Sequence, residues 1–185
     1  MIFDQFRAKS KVQIKKITKQ ISLSKYLYVF TLLGSCHRLV KWFMDQEGIS
    51  NNLISVNIPY SIIAIDQELS FKSNSYVNSN ICRELAINNF NKYSKIIHKS
   101  ENLISLAVSS SLKTNRKKFS SDRSFVSLIG NELNTNYEIN FLDDNLNRKQ
   151  QDYIISYLVL NILLNPQLEI DKNLFSSLID IKINE

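Results

Sequence analysis

The sequence predicts an α/β protein built on a mixed β-sheet with helices on both faces. Residues 26–33 form an apolar run of aromatic and branched side chains, which is typical of a buried strand. An amphipathic segment, 36–46, follows directly, and helix-like and strand-like segments alternate around it. Strand-like segments then succeed one another between residues 102 and 142. Alternation followed by a run of strands is the order expected of a mixed sheet covered by helices on both faces.

The elements of the first half of the chain are predicted from hydrophobic spacing. Residues 10–23 carry apolar side chains at near-helical spacing and predict a basic amphipathic helix. Its apolar positions are Val12, Ile14, Ile17 and Ile21. The next elements are a strand over 26–33, a helix over 36–46 with Leu39, Val40, Phe43 and Met44 on one stripe, a strand over 53–58, and a helix over 60–70.

Capping residues and proline mark the elements of the second half. Asn78 or Ser79 can cap a helix that runs to residue 94, and Asp143 or Asp144 can cap another that ends before Pro166. In order, the segments are a helix to 94, a strand over 102–109, a polar and basic loop over 110–123, strands over 124–130 and 136–142, a helix over 145–164, and a last short helix over 171–181.

Positive charge is concentrated near the beginning of the chain. The 185 residues carry a net charge of +6, and residues 1–44 hold nine basic side chains against the single acid Asp4. Such a segment can bind nucleic acid, an anionic membrane surface or an acidic protein, or it can be the solvated face of a helix. The predicted basic patch combines this segment with the loop 112–123 and consists of Lys15, Lys16, Lys19, Arg116, Lys117 and Lys118.

Composition excludes several classes of site. The three glycines are Gly34, Gly48 and Gly130, too few for the glycine-rich phosphate loops of P-loop or Rossmann proteins. His and Cys lack metal-ligand spacing, so neither a metal nor a cofactor is predicted. Two cysteines give no disulfide framework and indicate a reducing compartment, cytoplasmic or, given the basic start of the chain, an organelle. No apolar run is long enough to predict a membrane span.

The junction at Gly34-Ser35 is the strongest candidate for a site. A strand, a tight turn and a helix meet there, and this arrangement can present a nucleophile or bind an anion at the start of the helix. Ser35 and Cys36 are candidate nucleophiles, since a thiol at a helix N-terminus can have a lowered pKa. Ordinary chain reversal with buried Ser and Cys is the alternative. A pair of Ser35 with His37 is disfavoured because neighbouring residues at a helix start point in different directions.

Five segments in this order resemble the C-terminal domain of the competence/damage-inducible protein CinA family. They are Gly34-Ser35-Cys36 with the helix after it, Val56 to Ser61, Tyr76 to Ala86, Leu103 to Ser110, and Ser124 to Ile129. The resemblance covers about residues 12–164. It implies a three-layer α/β sandwich, a dimer-prone surface, and an enzyme that deamidates nicotinamide mononucleotide.

The resemblance also assigns roles to individual residues. It implies Ser35 as nucleophile, Tyr60 as its helper, and Ser109, Lys113 and Arg148 in substrate binding, with Arg148 or Lys113 near the phosphate. The implied organisation is a basic arm over 1–24, a CinA-like domain over 25–164, and a C-terminal extension over 165–185.

The chain departs from the family at the positions that carry its chemistry. The Thr-Gly-Gly that should follow Ser-Cys is His37-Arg38-Leu39, and the family's lysine falls on Ile65. An aliphatic residue cannot take a proton from a serine. The expected protein is therefore a catalytically degenerate binding or structural subunit. The alternatives are an active nicotinamide mononucleotide amidohydrolase and a basic accessory protein of nucleic acid or ribonucleoprotein.

Overall fold

The computed structural model describes residues 2–98, 100–115, 118, 120–166 and 171–184. The helices are α1 (Ile2–Ser22), α2 (His37–Met44), α3 (Ile62–Leu69), α4 (Ser79–Ser94) and α5 (Arg148–Leu164). The strands are β1 (Leu27–Leu33), β2 (Leu53–Asn57), β3 (Leu103–Ser111), β4 (Arg123–Gly130), β5 (Leu133–Phe141) and β6 (Ile179–Asn184).

The strands form one mixed sheet in the order β2-β1-β3-β4-β5-β6. Strand β1 pairs in parallel with both β2 and β3, and the remaining neighbours pair antiparallel. Helices α1, α2 and α5 share a core with one face of the sheet, while α3 and α4 share a second core with the other face. The predicted α/β class with helices on both faces is confirmed.

Aromatic packing fixes α2 against strand β1. Phe43 of α2 is fully buried and meets the ring of Phe30 edge-on, with ring centroids 5.2 Å apart. It also meets Tyr28 edge-on at 6.2 Å. Because α2 begins immediately after the Gly34-Ser35 junction, these contacts also set the geometry of that junction.

Most predicted elements are confirmed, with corrections at their ends. Helix α1 extends further toward the beginning of the chain than predicted, and Val12 is 76% exposed rather than part of its buried stripe. Met44 of α2 is likewise 65% exposed. Neither Asp143 nor Asp144 caps α5, because Asn147 does so, accepting from the backbone of Lys149 and Gln150 in a reciprocal capping box.

The predicted last helix over 171–181 is wrong. A short 3-10 turn, Lys172–Leu174, leads into strand β6, which pairs with β5 at the sheet edge. The alternation Ile-Asp-Ile-Lys-Ile over 179–183 has the period of a strand, with Ile179 and Ile181 buried and Asp180 and Lys182 exposed.

Both ends of the described chain join the central body. Helix α1 packs on α5, and β6 completes the sheet. The division at residues 24 and 164 stays a prediction. No helix among the described residues is long and apolar enough to cross a lipid bilayer.

Candidate functional site

The Gly34-Ser35 junction is a tight turn pressed against strand β3. Gly34 has φ +80°, in the left-handed region that favours glycine. A Cβ atom at this position would overlap the backbone carbonyl oxygen of Ser110. The turn therefore depends on glycine for its backbone angle and also for the close approach of β3.

Ser35 is buried in a chain of hydroxyl groups. Its Oγ lies 2.6 Å from Ser110 Oγ, and Ser124 Oγ donates a hydrogen bond of 2.7 Å to the same Ser110 oxygen. Only 7% of Ser35 is exposed, and Ser124 is fully buried. Hydroxyl groups do not accept a proton readily near neutral pH, so this network orients Ser35 without activating it.

Neither Tyr60, the predicted helper of Ser35, nor a lysine at position 65 is available to activate it. Tyr60 is 85% exposed, and no hydrogen bond joins it to Ser35 among the described residues. Ile65, where the resemblance places the family's lysine, is buried in the core that α3 and α4 share with the sheet. Ser35 Oγ has Ser110 Oγ and the Cys36 thiol as its partners within the described chain.

A buried carboxylate lies at the start of α2. Asp152 of α5 is fully buried, with its oxygens 2.9 Å from His37 Nδ1 and 3.4 Å from Arg38 Nε. Neither side chain reaches hydrogen-bond geometry with these oxygens. Burial raises the pKa of Asp152 above its ordinary value, although His37, Arg38 and nearby backbone N–H groups oppose the shift. The carboxyl group of Asp152 lies at the start of α2, where the helix dipole favours a negative charge.

Cys36 is a packing residue. It holds φ +67° as the N-cap of α2, and its side chain is fully buried. Burial, followed by the nearby Asp152 carboxylate, raises the pKa of the Cys36 thiol far above its ordinary value. Burial raises the pKa of Cys82 to about 12. Because nucleophilic attack requires the thiolate, neither cysteine fits a catalytic role.

The two cations expected near a substrate phosphate donate to the protein backbone. Arg148 donates from Nη2 to the carbonyl oxygen of Gly34 at 3.0 Å. Lys113 donates from Nζ to the carbonyl oxygen of Asp144, also at 3.0 Å. Both side chains are exposed, and the contact with Gly34 places Arg148 beside the junction, while a role of either cation in substrate binding stays a prediction.

A serine-lysine pair occurs one residue beyond Ser110, and sequence reasoning missed it. Lys118 Nζ donates to Ser111 Oγ at 2.9 Å and also pairs with the Asp122 carboxylate. Although burial raises the pKa of Asp122, hydrogen bonds from Lys118 and Gln151 outweigh it and hold this pKa below its ordinary value. Lys118 Nζ is also held by the carbonyl oxygens of Ser111 and Leu112 and acts as the donor toward Ser111 Oγ, so this geometry does not present it as a base for Ser111.

The remaining candidate residues are distributed over the surface and the core. Ser109 is fully buried and donates to the carbonyl oxygen of Tyr76 at 2.6 Å. The side chains of Lys15, Lys16 and Lys19 are exposed on α1. Arg116 and Lys117 lie outside the described residues. Within the described chain, no group of three His, Cys, Asp or Glu side chains could hold a metal ion.

Comparison with solved structures identifies proteins of the same fold. A CinA superfamily protein from Klebsiella pneumoniae 700603 matches at a TM-score of 0.66, with 9% identity over 82% of this chain and 95% of that one. A competence or damage-inducible protein from Enterobacter asburiae matches at 0.65, with 14% identity over 83% and 97%. One from Agrobacterium tumefaciens matches at 0.61, with 13% identity over 83% and 96%.

These matches confirm the resemblance at the level of the fold. The chain has the CinA-like α/β architecture and is divergent from these proteins in sequence. No protein-family model matches the sequence, and no curated protein matches it. Because fold does not determine function, the activity must be argued from the residues around Ser35.

Proposed function

We propose that this chain is a divergent CinA-like protein without amidohydrolase activity, which acts as a cytoplasmic binding subunit through its basic helix α1. The environment of Ser35 is the observation that supports the absence of amidohydrolase activity. The hydrogen bonds of Ser35 run to Ser110 and onward to Ser124, and Ile65 stands where the family's lysine is expected. A serine nucleophile needs a base to take its proton, and none of these groups is one.

The cations around the junction support the same proposal. Arg148 is held by the carbonyl oxygen of Gly34, and Lys113 by that of Asp144. Leu112, which follows β3 directly and precedes Lys113, is buried. Binding a substrate phosphate would require both cations to exchange these backbone partners for the ligand, which weakens binding.

The charge of helix α1 supports the proposed binding role. The helix presents basic side chains along an exposed surface, and Asp4 is the single acidic residue in the helix. A cluster of one charge on a stable scaffold favours an oppositely charged partner. The loop 112–123 remains a second predicted contact region. A second copy of this chain is a further partner implied by the family resemblance.

Labelling with a fluorophosphonate probe tests whether Ser35 is activated. An activated serine attacks phosphorus and displaces fluoride, leaving a covalent adduct that mass spectrometry can assign to a residue. We expect no adduct at Ser35 after incubation that fully labels a known serine hydrolase in the same tube. An adduct that forms on the native chain and disappears in Ser35→Ala would contradict the proposed absence of amidohydrolase activity. Circular dichroism of both proteins controls for folding.

A further inference from the structure

A groove runs between α1 and α2 on the face of the molecule that carries the basic residues. Its cavity has a volume of about 350 Å³. The stripe of α1 that lines it follows helical spacing, so these side chains share one face of the helix. The lining consists of Lys11, Ile14, Lys15 and Thr18 from α1, with Trp42, Asp45 and Gln46 from α2 and its end.

The lining of the groove is basic, because its acidic residue is already paired with a lysine of α2. Asp45 is the acid of the lining, and Lys41 binds its carboxylate at 2.6 Å. Neither Lys11 nor Lys15 has an ion pair or a side-chain hydrogen bond within the described chain. These two lysines are four residues apart on α1, a spacing at which like charges repel and destabilise a helix. An anionic partner would relieve that repulsion.

The walls of the groove are apolar and rigid. Trp42 is half-buried and packs edge-on against the ring of Tyr153, with centroids 5.4 Å apart. Ile14 faces it from α1 and is also half-buried. Thr18 Oγ1 donates to Gln46 Oε1 at 3.3 Å and joins the two elements. Such a cleft can receive an apolar side chain between two cations.

We infer that this groove binds an acidic peptide segment that inserts one aromatic or aliphatic side chain beside Trp42. The inference rests on the proposed binding role of α1 and names the surface and the chemistry of the partner. Carboxylates of the peptide pair with Lys11 and Lys15, while its apolar side chain covers Ile14 and the tryptophan ring. A nucleic acid duplex would contact the two lysines without filling the apolar space between Ile14 and Trp42, and it is therefore tested as the alternative partner.

The chain offers a direct readout, because Trp42 is its single tryptophan. The probe is a synthetic tryptophan-free peptide of glutamates with one leucine and one phenylalanine. We expect its binding to shift Trp42 emission to shorter wavelength and to weaken as salt rises. The double variant Lys11→Glu with Lys15→Glu should weaken binding by about tenfold or more. A polyglutamate peptide without apolar residues should leave the emission wavelength unchanged.

Matched variants separate the groove from the general charge of α1. Lys16→Glu with Lys19→Glu changes the net charge equally on the same helix but outside the groove, so its effect should be about threefold or less. Equal weakening by both double variants would overturn the groove and leave a binding role of α1 intact. Absence of peptide binding, or a Trp42 shift produced only by duplex DNA, would also overturn it. Neither result bears on Ser35, which the labelling experiment judges separately.

Discussion

Replacing Gly34 with alanine is expected to lower the free energy of unfolding by about 3 kcal/mol. Two effects combine at this position. The backbone has φ +80°, which disfavours any residue with a Cβ atom, and that Cβ would overlap the carbonyl oxygen of Ser110. Since Ser110 belongs to β3, at the centre of the sheet, the strand has little freedom to move away. Urea denaturation followed by circular dichroism measures the loss.

Gly48 provides the matched control. It has nearly the same backbone angle, φ +78°, but an added Cβ would meet nothing within 4 Å. Gly48→Ala should therefore lose only the backbone cost, about 1 kcal/mol. Equal losses in Gly34→Ala and Gly48→Ala would show that the junction is not pressed against β3 as described.

Phe43→Ala is expected to lower the free energy of unfolding by about 3–5 kcal/mol. The side chain is fully buried between α2 and β1, where it meets the rings of Phe30 and Tyr28. Its removal leaves a cavity in a densely packed core and loses the edge-on ring contacts. The same change should loosen the start of α2, which hydrogen exchange of the amides around Ser35 would detect.

The neighbouring residue of the same helix serves as the control for this prediction. Met44 is 65% exposed, so Met44→Ala should change the free energy of unfolding by about 0.5 kcal/mol or less. A similar loss for both variants would mean that α2 is not anchored by Phe43. A large loss in the free energy of unfolding without faster amide exchange around Ser35 would show that the packing of Phe43 does not set the geometry of the junction.

The sequence predicted the architecture where hydrophobic period and capping agreed. Strand β1 was recognisable from 26–33, and Asn78 caps α4 as predicted. The wrong predictions concern the start of α5 and the last strand. Asp143 and Asp144 are good capping residues, but Asn147 starts α5 because Gln150 completes its capping box. The strand period at Ile179, Ile181 and Ile183 was present in the sequence and went unrecognised.

The candidate site was only partly predictable. The sequence identified the Gly34-Ser35 junction because it follows from the order of elements, whereas the contact of Arg148 with Gly34 was not predicted. It could not predict the contacts of Asp152 with His37, or the pair of Lys118 with Asp122, since these join side chains that the tertiary fold brings together. Hydrogen bonds such as that from Ser124 to Ser110 depend on strand register, which the sequence does not specify.

Deamidation of nicotinamide mononucleotide tests the proposed absence of amidohydrolase activity. Ammonia release is measured with the purified chain and with Ser35→Ala, which lacks the hydroxyl group and whose folding is checked by circular dichroism. We expect neither protein to release ammonia above the buffer blank, because the partners of Ser35 among the described residues are a hydroxyl group and a thiol and include no base. Turnover by the native chain that disappears in Ser35→Ala would contradict it and establish an active amidohydrolase with a rearranged site.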